Sequence, residues 1–511
     1  MELTDDATRK ARQECAEHRQ RSPHPSRPQH SATIDLAVWL DIHRLFESLK
    51  VGPIDASSDS EGHLVVDKAE GLTDLCLFVR NAAAMERANQ DLASSTGIIG
   101  DIRRTISAMM RRELEYPEAT RCVTAAAQAL SNLVTGNRPL QRALLEQELT
   151  TGVASIDTVF CYLLASANSQ TNMAGLVLLL NCLKDNTEAT GLLCSTEAGR
   201  LVASKVGELF GDNENDESDV KTMLYMILSQ IIDCGRLDQL LRDELELRAY
   251  GLVDALAVYC NEHSSNADYQ KVVSKDLVAA LTRLLSKSHA VLVHVWEDTA
   301  AIYSSDDDIR GDVDMDDIMD AHRCLAAVIS ALGTITTEGG ADIANWLLEC
   351  KTVHLVIALL GLLNKHLPRI ESADKRQSSL QASGAGPGDV DSVKHLFMFK
   401  CDLIKIIGNI GYKSAAAQDL VRELDGLSLV LDHMKIDDNH PFIKEHAVIA
   451  LKGLLSNNRA NQDFLRDVNV VDSIQDPKLA KAGIQAVITN DGQVSVKQAA
   501  PDSKSDRASL D

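Results

Sequence analysis

Arg87-Ala-Asn-Gln-Asp91 and Arg459-Ala-Asn-Gln-Asp463 are one pentapeptide at two distant places, each just after an apolar stripe of helical spacing. A repeated stop signal of this kind points to internal repetition, and the spacing of its looser copies decides the fold. Each Gln has an anchor residue at a constant offset upstream: Asn81 with Gln90, Asn132 with Gln141, Asn409 with Gln418, and Gly453 with Gln462. Asn181 with Thr190 and Gln230 with Gln239 fit the same frame more loosely, and Arg283 and Thr334 are degenerate candidates between them. The anchors return roughly every 44–51 residues where they are dense, a period typical of stacked helical units.

Ahead of each anchor the apolar residues step by three and four. Val123, Ala126, Ala127, Leu130, Leu133 and Val134 do so around Asn132, and Ile443, Ala447, Ala450, Leu451, Leu454 and Leu455 do so around Gly453. Such steps put them on one helix face. A second small residue follows each anchor, at Gly152, Gly199, Gly251 and Gly426, and opens another apolar stretch. Each unit therefore reads as helices joined at glycine-containing corners. Burying one Leu or Ile stabilises by roughly 1.5–3 kcal/mol, and a lone unit cannot bury its own stripe, so units gain a core by stacking. The fold class this predicts is all-α, an armadillo/HEAT-like right-handed superhelical solenoid.

Length and composition agree. The chain has 511 residues, too many for one compact core, and aromatics are only 4%, which leaves Leu, Ile, Val and Ala to fill the interior. The 51 basic and 74 acidic residues give a net charge of −23, which opposes nucleic acid and anionic membranes as partners. The run Val353 to Leu363 is interrupted by His354 and falls short of the ~20 residues a bilayer demands, so no membrane insertion is expected. No apolar leader is read at the N-terminus, and a cytoplasmic location is the expectation. The 11 cysteines form no Cys-x-x-Cys pairs and read as small core residues in a reducing compartment.

The chain divides into a polar N-terminal segment, 1–33, and helical repeats over 34–365, opened by an amphipathic capping helix carrying Val38, Ile42, Leu45, Phe46 and Leu49. Acidic loops interrupt the repeats at 211–219 and 304–320. A flexible Ser/Gly-rich insertion occupies 366–398 and contains Lys375-Arg376-Gln-Ser-Ser379, a sequence a basic-directed kinase could modify. The last repeats fill 399–490, and a polar tail follows over 491–511.

Catalytic signatures are missing: the sequence holds no Walker loop, no Gly-x-Ser-x-Gly elbow and no His-Glu-x-x-His helix. An enzyme is not expected, nor a cofactor. Asp306 to Asp317 outlines a calcium loop, but Arg310 takes a ligand position and Asp317 replaces the bidentate Glu, so it reads as an acidic insert. Met223 with Met226, and Cys260 with His263, supply too few ligands for a metal shell.

The informative polar position is the anchor Asn, at Asn81, Asn132, Asn181 and Asn409, because an amide offers donors and an acceptor together. Two readings stand. On the third helix of armadillo repeats an Asn at this place lines the inner groove and holds the backbone of an extended peptide, and Ala129-Leu-Ser-Asn132-Leu133 looks like that consensus. Alternatively each Asn satisfies backbone at a helix end. The Trp that precedes it in nuclear-import receptors is replaced by Leu77, Gln128, Val177 and Lys405, which argues against import cargo.

One region carries a more specific resemblance. Phe399-Lys-Cys-Asp-Leu-Ile-Lys-Ile-Ile-Gly-Asn-Ile-Gly-Tyr-Lys413, Glu423-Leu-Asp-Gly426, Ile436-Asp-Asp-Asn-His-Pro-Phe442 and Asn461-Gln-Asp463 resemble, in order and spacing, the C-terminal domain of the ataxin-10 family over about 399–467, with a fungal-type character. The chain departs from the family at Glu445-His446, where Glu-Trp is usual, and at Lys452-Gly453-Leu454, where Arg-Asn-Leu is usual. The resemblance implies a non-enzymatic armadillo-like scaffold or adaptor that binds partner proteins and regulates cytokinesis and cell division. It also implies self-association into a homo-oligomer. An armadillo-type chaperone cofactor promoting nucleotide exchange is the alternative. Fungal relatives have carried a copper-transport label, for which this sequence offers no adequate ligand set.

Overall fold

The computed structural model describes residues 33–49, 59–113, 115–150, 158–212, 219–241, 250–263, 272–298, 315–367, 369, 389–435, 437, 440, 442–467, 484–488 and 494–498. After α1 (Leu36–Ser48), a long helix and two shorter ones recur: α2 (Asp59–Ala83), α3 (Arg87–Ser95) and α4 (Ile98–Met109), then α5 (Pro117–Val134), α6 (Arg138–Thr150) and α7 (Val159–Ala165). The third set is α8 (Ser169–Leu183), α9 (Thr187–Ser195) and α10 (Glu197–Asp212), and α11 (Asp219–Asp233) with α12 (Leu237–Leu240) begins a fourth. The order loosens at α13 (Tyr250–His263) and α14 (Lys275–Val293). It resumes with α15 (Met315–Glu338), α16 (Ala341–Glu349) and α17 (Thr352–His366), then α18 (Asp389–Lys413), α19 (Ala415–Glu423) and α20 (Gly426–Asp432), and finally α21 (Ile443–Leu455) and α22 (Arg459–Asp467).

Successive long helices lie side by side, α2 on α5, α5 on α8 and α8 on α11, then α13 on α15, α15 on α18 and α18 on α21. The predicted stripes face these contacts: Val123, Leu130, Leu133, Ala447 and Leu454 are wholly buried, in one core that runs the length of the stack. The fold is an all-α armadillo-like solenoid.

The repeated pentapeptide is explained atom by atom. Arg87 pairs with Asp91, and Arg459 with Asp463, one turn apart on the helix surface. The buried Asn89 and Asn461 donate back to the carbonyls of Ala82 and Leu454, each 2.8 Å away, closing the corner with the preceding long helix. The Gln reaches further. Gln90 Nε2 donates to the Asn132 and Thr135 carbonyls at 2.9 and 3.1 Å, and Gln141 Nε2 donates to the Asn181 carbonyl at 2.7 Å. Gln90 and Gln141 thus secure the orphan carbonyls at the end of the next long helix, whereas Gln462 bonds the Leu455 carbonyl of its own preceding helix at 2.9 Å. Asn137 and Asn186 complete the clasp by donating to the Gln90 and Gln141 side-chain oxygens at 3.1 and 3.0 Å.

The corners turn on left-handed residues, at Met85, Gly136, Asp185, Gly235 and Asn457 after long helices. Of the glycines expected at corners, Gly426 opens α20 behind the left-handed Asp425, and Gly152 lies outside the described residues. Gly199 and Gly251 sit inside α10 and α13, where a Cβ would stand 2.3 Å from the Leu193 carbonyl and 1.9 Å from the Gly207 carbonyl. They permit close approach of backbones, not a turn.

Several boundaries differ from the sequence reading. Residues 211–212 complete α10 and residue 219 opens α11, while 315–320 and 389–398, read as loop and flexible insertion, are helical. His366 ends α17, and of those loops residues 213–218, 304–314, 368 and 370–388 lie outside the described residues, as do residues 1–32 and the Lys375 to Ser379 site. Within the tail expected over 491–511, β2 (Val494–Gln498) pairs antiparallel with β1 (Ile484–Ile488), Ile484 opposite Gln498 and Ile488 opposite Val494. Ile318–Glu338 of α15 is also long and apolar enough to cross a bilayer, which the sequence reading did not single out. In this fold it is a core helix, packed by α13, α14 and α18.

Candidate functional site: a groove along the long helices

Four long helices, α13, α15, α18 and α21, bound a groove of about 660 Å³. Its floor is made of small residues, among them Ser330, Gly333, Gly408, Ala450 and Gly453, which let the helices approach and leave room above them. A Cβ at Gly408 would come within 2.7 Å of Ala450 Cα, and one at Gly453 within 3.0 Å of the Gly408 carbonyl. A side chain at position 453 would press on α18.

Tyr412 and Ile449 stand over this floor, 74% and 65% exposed, an unusual solvent position for two large apolar groups. The lining charges are mostly committed. Lys405 Nζ donates to Asp402 at 2.9 Å, and Lys413 Nζ donates to the Thr336 and Thr337 carbonyls at 2.5 and 2.8 Å, closing the end of α15. Burial lowers the Lys413 ammonium, and burial together with Lys405 and His440 pushes His446 below the ordinary imidazole range. The groove at neutral pH is therefore polar but close to electrically balanced, with an apolar pair at its lip.

Of the four anchor asparagines, Asn409 alone lines this groove. Its Nδ2 donates to Thr337 Oγ1 at 3.0 Å. Asn132 Nδ2 donates to the Arg80 carbonyl at 2.8 Å, and Asn181 Nδ2 donates to Ser131 Oγ at 2.8 Å and Thr135 Oγ1 at 3.0 Å. Asn81 is exposed and accepts from Arg80 Nε at 3.3 Å. The amide donors of Asn132, Asn181 and Asn409 are thus turned to the preceding unit. Thr334, a degenerate anchor, also lines the groove, whereas Arg283 lies on α14, none of whose residues does. Sequence reasoning missed Tyr412 and Ile449. The signal was present at Ile449, which with Val448 falls outside the buried stripe of α21.

Metal and thiol chemistry find little footing among the described residues. His43, Glu47 and Asp101 bring ligand atoms within 4.8 Å of one another. Arg104 Nη2 already donates to Glu47 at 2.8 Å and to Asp101, and His43 Nδ1 lies 2.6 Å from Asp101 Oδ2, so a guanidinium holds the place a cation would take. Burial raises the Asp101 carboxyl, opposed by His43 and Arg104. Burial also pushes the Cys122, Cys260 and Cys324 thiols up, to about 12, about 12 and about 11, which keeps them protonated and unreactive. His263 is taken up by Tyr259, stacked at 4.2 Å and bonded to its carbonyl at 3.0 Å.

Stacked helix sets, an unbroken core and a groove between long helices define a helical-repeat protein of the armadillo type. Residues 399–497 match the Spinocerebellar ataxia type 10 protein domain, so the match runs past 467 and takes in the β1–β2 hairpin. This C-terminal part of the chain carries the ataxin-10 family's domain.

The ataxin-10 homolog of Saccharomyces cerevisiae is 41% identical over 95 residues, 19% of this chain and 17% of that protein. That of Kluyveromyces lactis is 40% identical over 198 residues, 34% of this chain and 37% of its own length. Ataxin-10 of Xenopus tropicalis is 37% identical over 99 residues, 19% of this chain and 20% of its own. The matches thus span well under half of these relatives. Among solved structures, a designed armadillo repeat protein aligns with 68% of this chain and 99% of its own at 15% identity and a TM-score of 0.25. SYS-1 aligns with 88% and 72% at 12% identity and a TM-score of 0.35. At such scores the fold assignment rests on the helix packing described above.

Proposed function

We propose that this chain is a non-enzymatic, cytoplasmic scaffold that holds partner proteins in the groove between α13, α15, α18 and α21 and thereby supports cytokinesis. The observation that carries the reading is the exposed pair Tyr412 and Ile449 above a floor of glycine, alanine and serine, a shape that accepts a bulky apolar side chain on an extended segment. The ataxin-10 family's domain and the armadillo-type architecture support a scaffold over a catalyst. The groove residues that α18 and α21 contribute lie within the stretch that matches that family, which supports assigning the shared role to it.

The experiment is replacement in dividing cells. Depletion should leave cells with failed division, restored by the wild-type chain and not by a Tyr412→Ala, Ile449→Ser double variant of unchanged helicity. Quantitative mass spectrometry of the two forms should show the same partners lost. Full rescue by the double variant would remove the groove from the function. Recovery of heat-shock proteins alone, with faster nucleotide release in the chain's presence, would favour a chaperone cofactor.

A further inference from the structure

In the register set by the anchors, one position is fully buried in four of the long helices and half-buried at Tyr225 in α11. It is Cys76 in α2, Ala127 in α5, Leu176 in α8 and Ile404 in α18, and all four are 0% exposed. The same position in α21 is Val448, which is 45% exposed. Helix α21 packs on α18, α20 and α22. Its remaining side carries Glu445, Val448, Ile449 and Lys452, all exposed, at the steps of three and four that make one helical face. Among the described residues neither Glu445 nor Lys452 holds an ion pair.

We propose that this outward face of α21 is a docking site for a single amphipathic α-helix of a partner protein, added where a further long helix would stack. A helix is the occupant the fold selects. The four equivalent faces are each covered by one, and α21 offers no free backbone edge to a strand. Charge sets its direction: Glu445 lies a turn before the Val448–Ile449 pair and Lys452 a turn after it, so the matching helix carries a base at the first end and an acid at the second.

The site adjoins the proposed groove and shares Ile449 with it, whereas Val448 does not line that groove and so reports on the docking face alone. The probe is a stapled leucine-faced helix about 16 residues long, with Lys and Glu placed to meet Glu445 and Lys452, titrated by fluorescence anisotropy into the full chain. The wild type should bind it about tenfold or more tighter than Val448→Asp does, a gap of about 1.4 kcal/mol. A Glu445→Lys, Lys452→Glu variant should prefer the charge-reversed helix. Circular dichroism would establish that both variants keep their helicity.

Equal binding by wild type and Val448→Asp, or no binding by the wild type, would overturn the proposal. So would sedimentation showing self-association that Val448→Asp abolishes, since a second copy would then be the occupant. Groove capture should persist in Val448→Asp, so a failure here is distinguishable from a failure of the groove reading.

Discussion

Gln418, on α19, donates through Nε2 to the carbonyl of Gly453 near the end of α21, 3.0 Å away, and also to the Gly411 and Ser456 carbonyls at 2.9 and 3.1 Å. One buried amide therefore holds three acceptors from two units. Gln418→Leu keeps the volume and removes the donor, leaving those acceptors unpaired. The expected loss is about 1–3 kcal/mol of unfolding free energy, read from the midpoint of a urea titration, with far-UV circular dichroism unchanged at zero denaturant.

The anchor asparagines lead to a different expectation from that of a peptide clamp. Asn132 and Asn181 spend their donors on Arg80, Ser131 and Thr135 of the preceding unit. Replacing both by Ala should lower stability by about 3 kcal/mol, near 1 for each bond lost, while partner capture by the folded protein stays at the wild-type level. Loss of capture at undiminished stability would return these residues to a binding role.

Lys400 makes stability depend on pH in a definite direction. It is 1% exposed, donates to the Leu367 carbonyl, and burial pushes its ammonium down to about 8 from the ordinary 10.5, partly opposed by Asp437 and Asp432. Below about pH 8 both folded and unfolded chains are protonated, and the folded chain bears the full cost of the buried charge. Between about 8 and 10.5 the unfolded chain binds the extra proton, so this contribution to stability rises with pH, by up to about 3 kcal/mol. Buried thiols with raised values act in the opposite sense, so the quantity to measure is the difference between wild type and Lys400→Met. It should move in favour of the wild type as pH goes from 7 to 10, and a flat difference would contradict the assignment.

Gly251 offers a steric test. A methyl group there would sit 1.9 Å from the Gly207 carbonyl, an oxygen of a neighbouring helix that cannot rotate away. Gly251→Ala should destabilise by about 1–3 kcal/mol through backbone displacement, whereas Gly333→Ala, which meets nothing within 4 Å, should be close to neutral. Thermal melts of the two variants decide it.

The repeat frame was legible because a helix that must be covered by its neighbour leaves a periodic apolar stripe, and Ile443, Ala447, Ala450 and Leu454 are all buried as that argument requires. The Gln positions were legible as punctuation, yet their task was not, since a bond from Gln90 to the Asn132 carbonyl joins residues that only the stacking brings together. The same limit applies to the anchor Asn: spacing puts it near a helix end, but whether its amide turns to solvent or to the preceding helix depends on contacts across units. Two misses had local signals. The acids Asp389 and Asp391 behind Pro387-Gly388 favour a helix start, and the sequence Asn490-Asp491-Gly492 between alternating residues favours a hairpin. At Tyr412 the missing information was the close approach of α18 and α21 at Gly408 and Ala450, which only the stacking brings together.

The Gln clasp has a mechanical consequence. Because Gln90, Gln141 and Gln418 each fasten the rim of the following unit, those parts of the rod must loosen in step, like a laced seam. The lacing lapses where Thr190 takes the Gln position and bonds only within its own turn, to the Asn186 carbonyl at 3.0 Å. Under tension the rod should hinge near α9 and α11 first, so that two stiff segments swing about a compliant middle and the groove is carried on the C-terminal one.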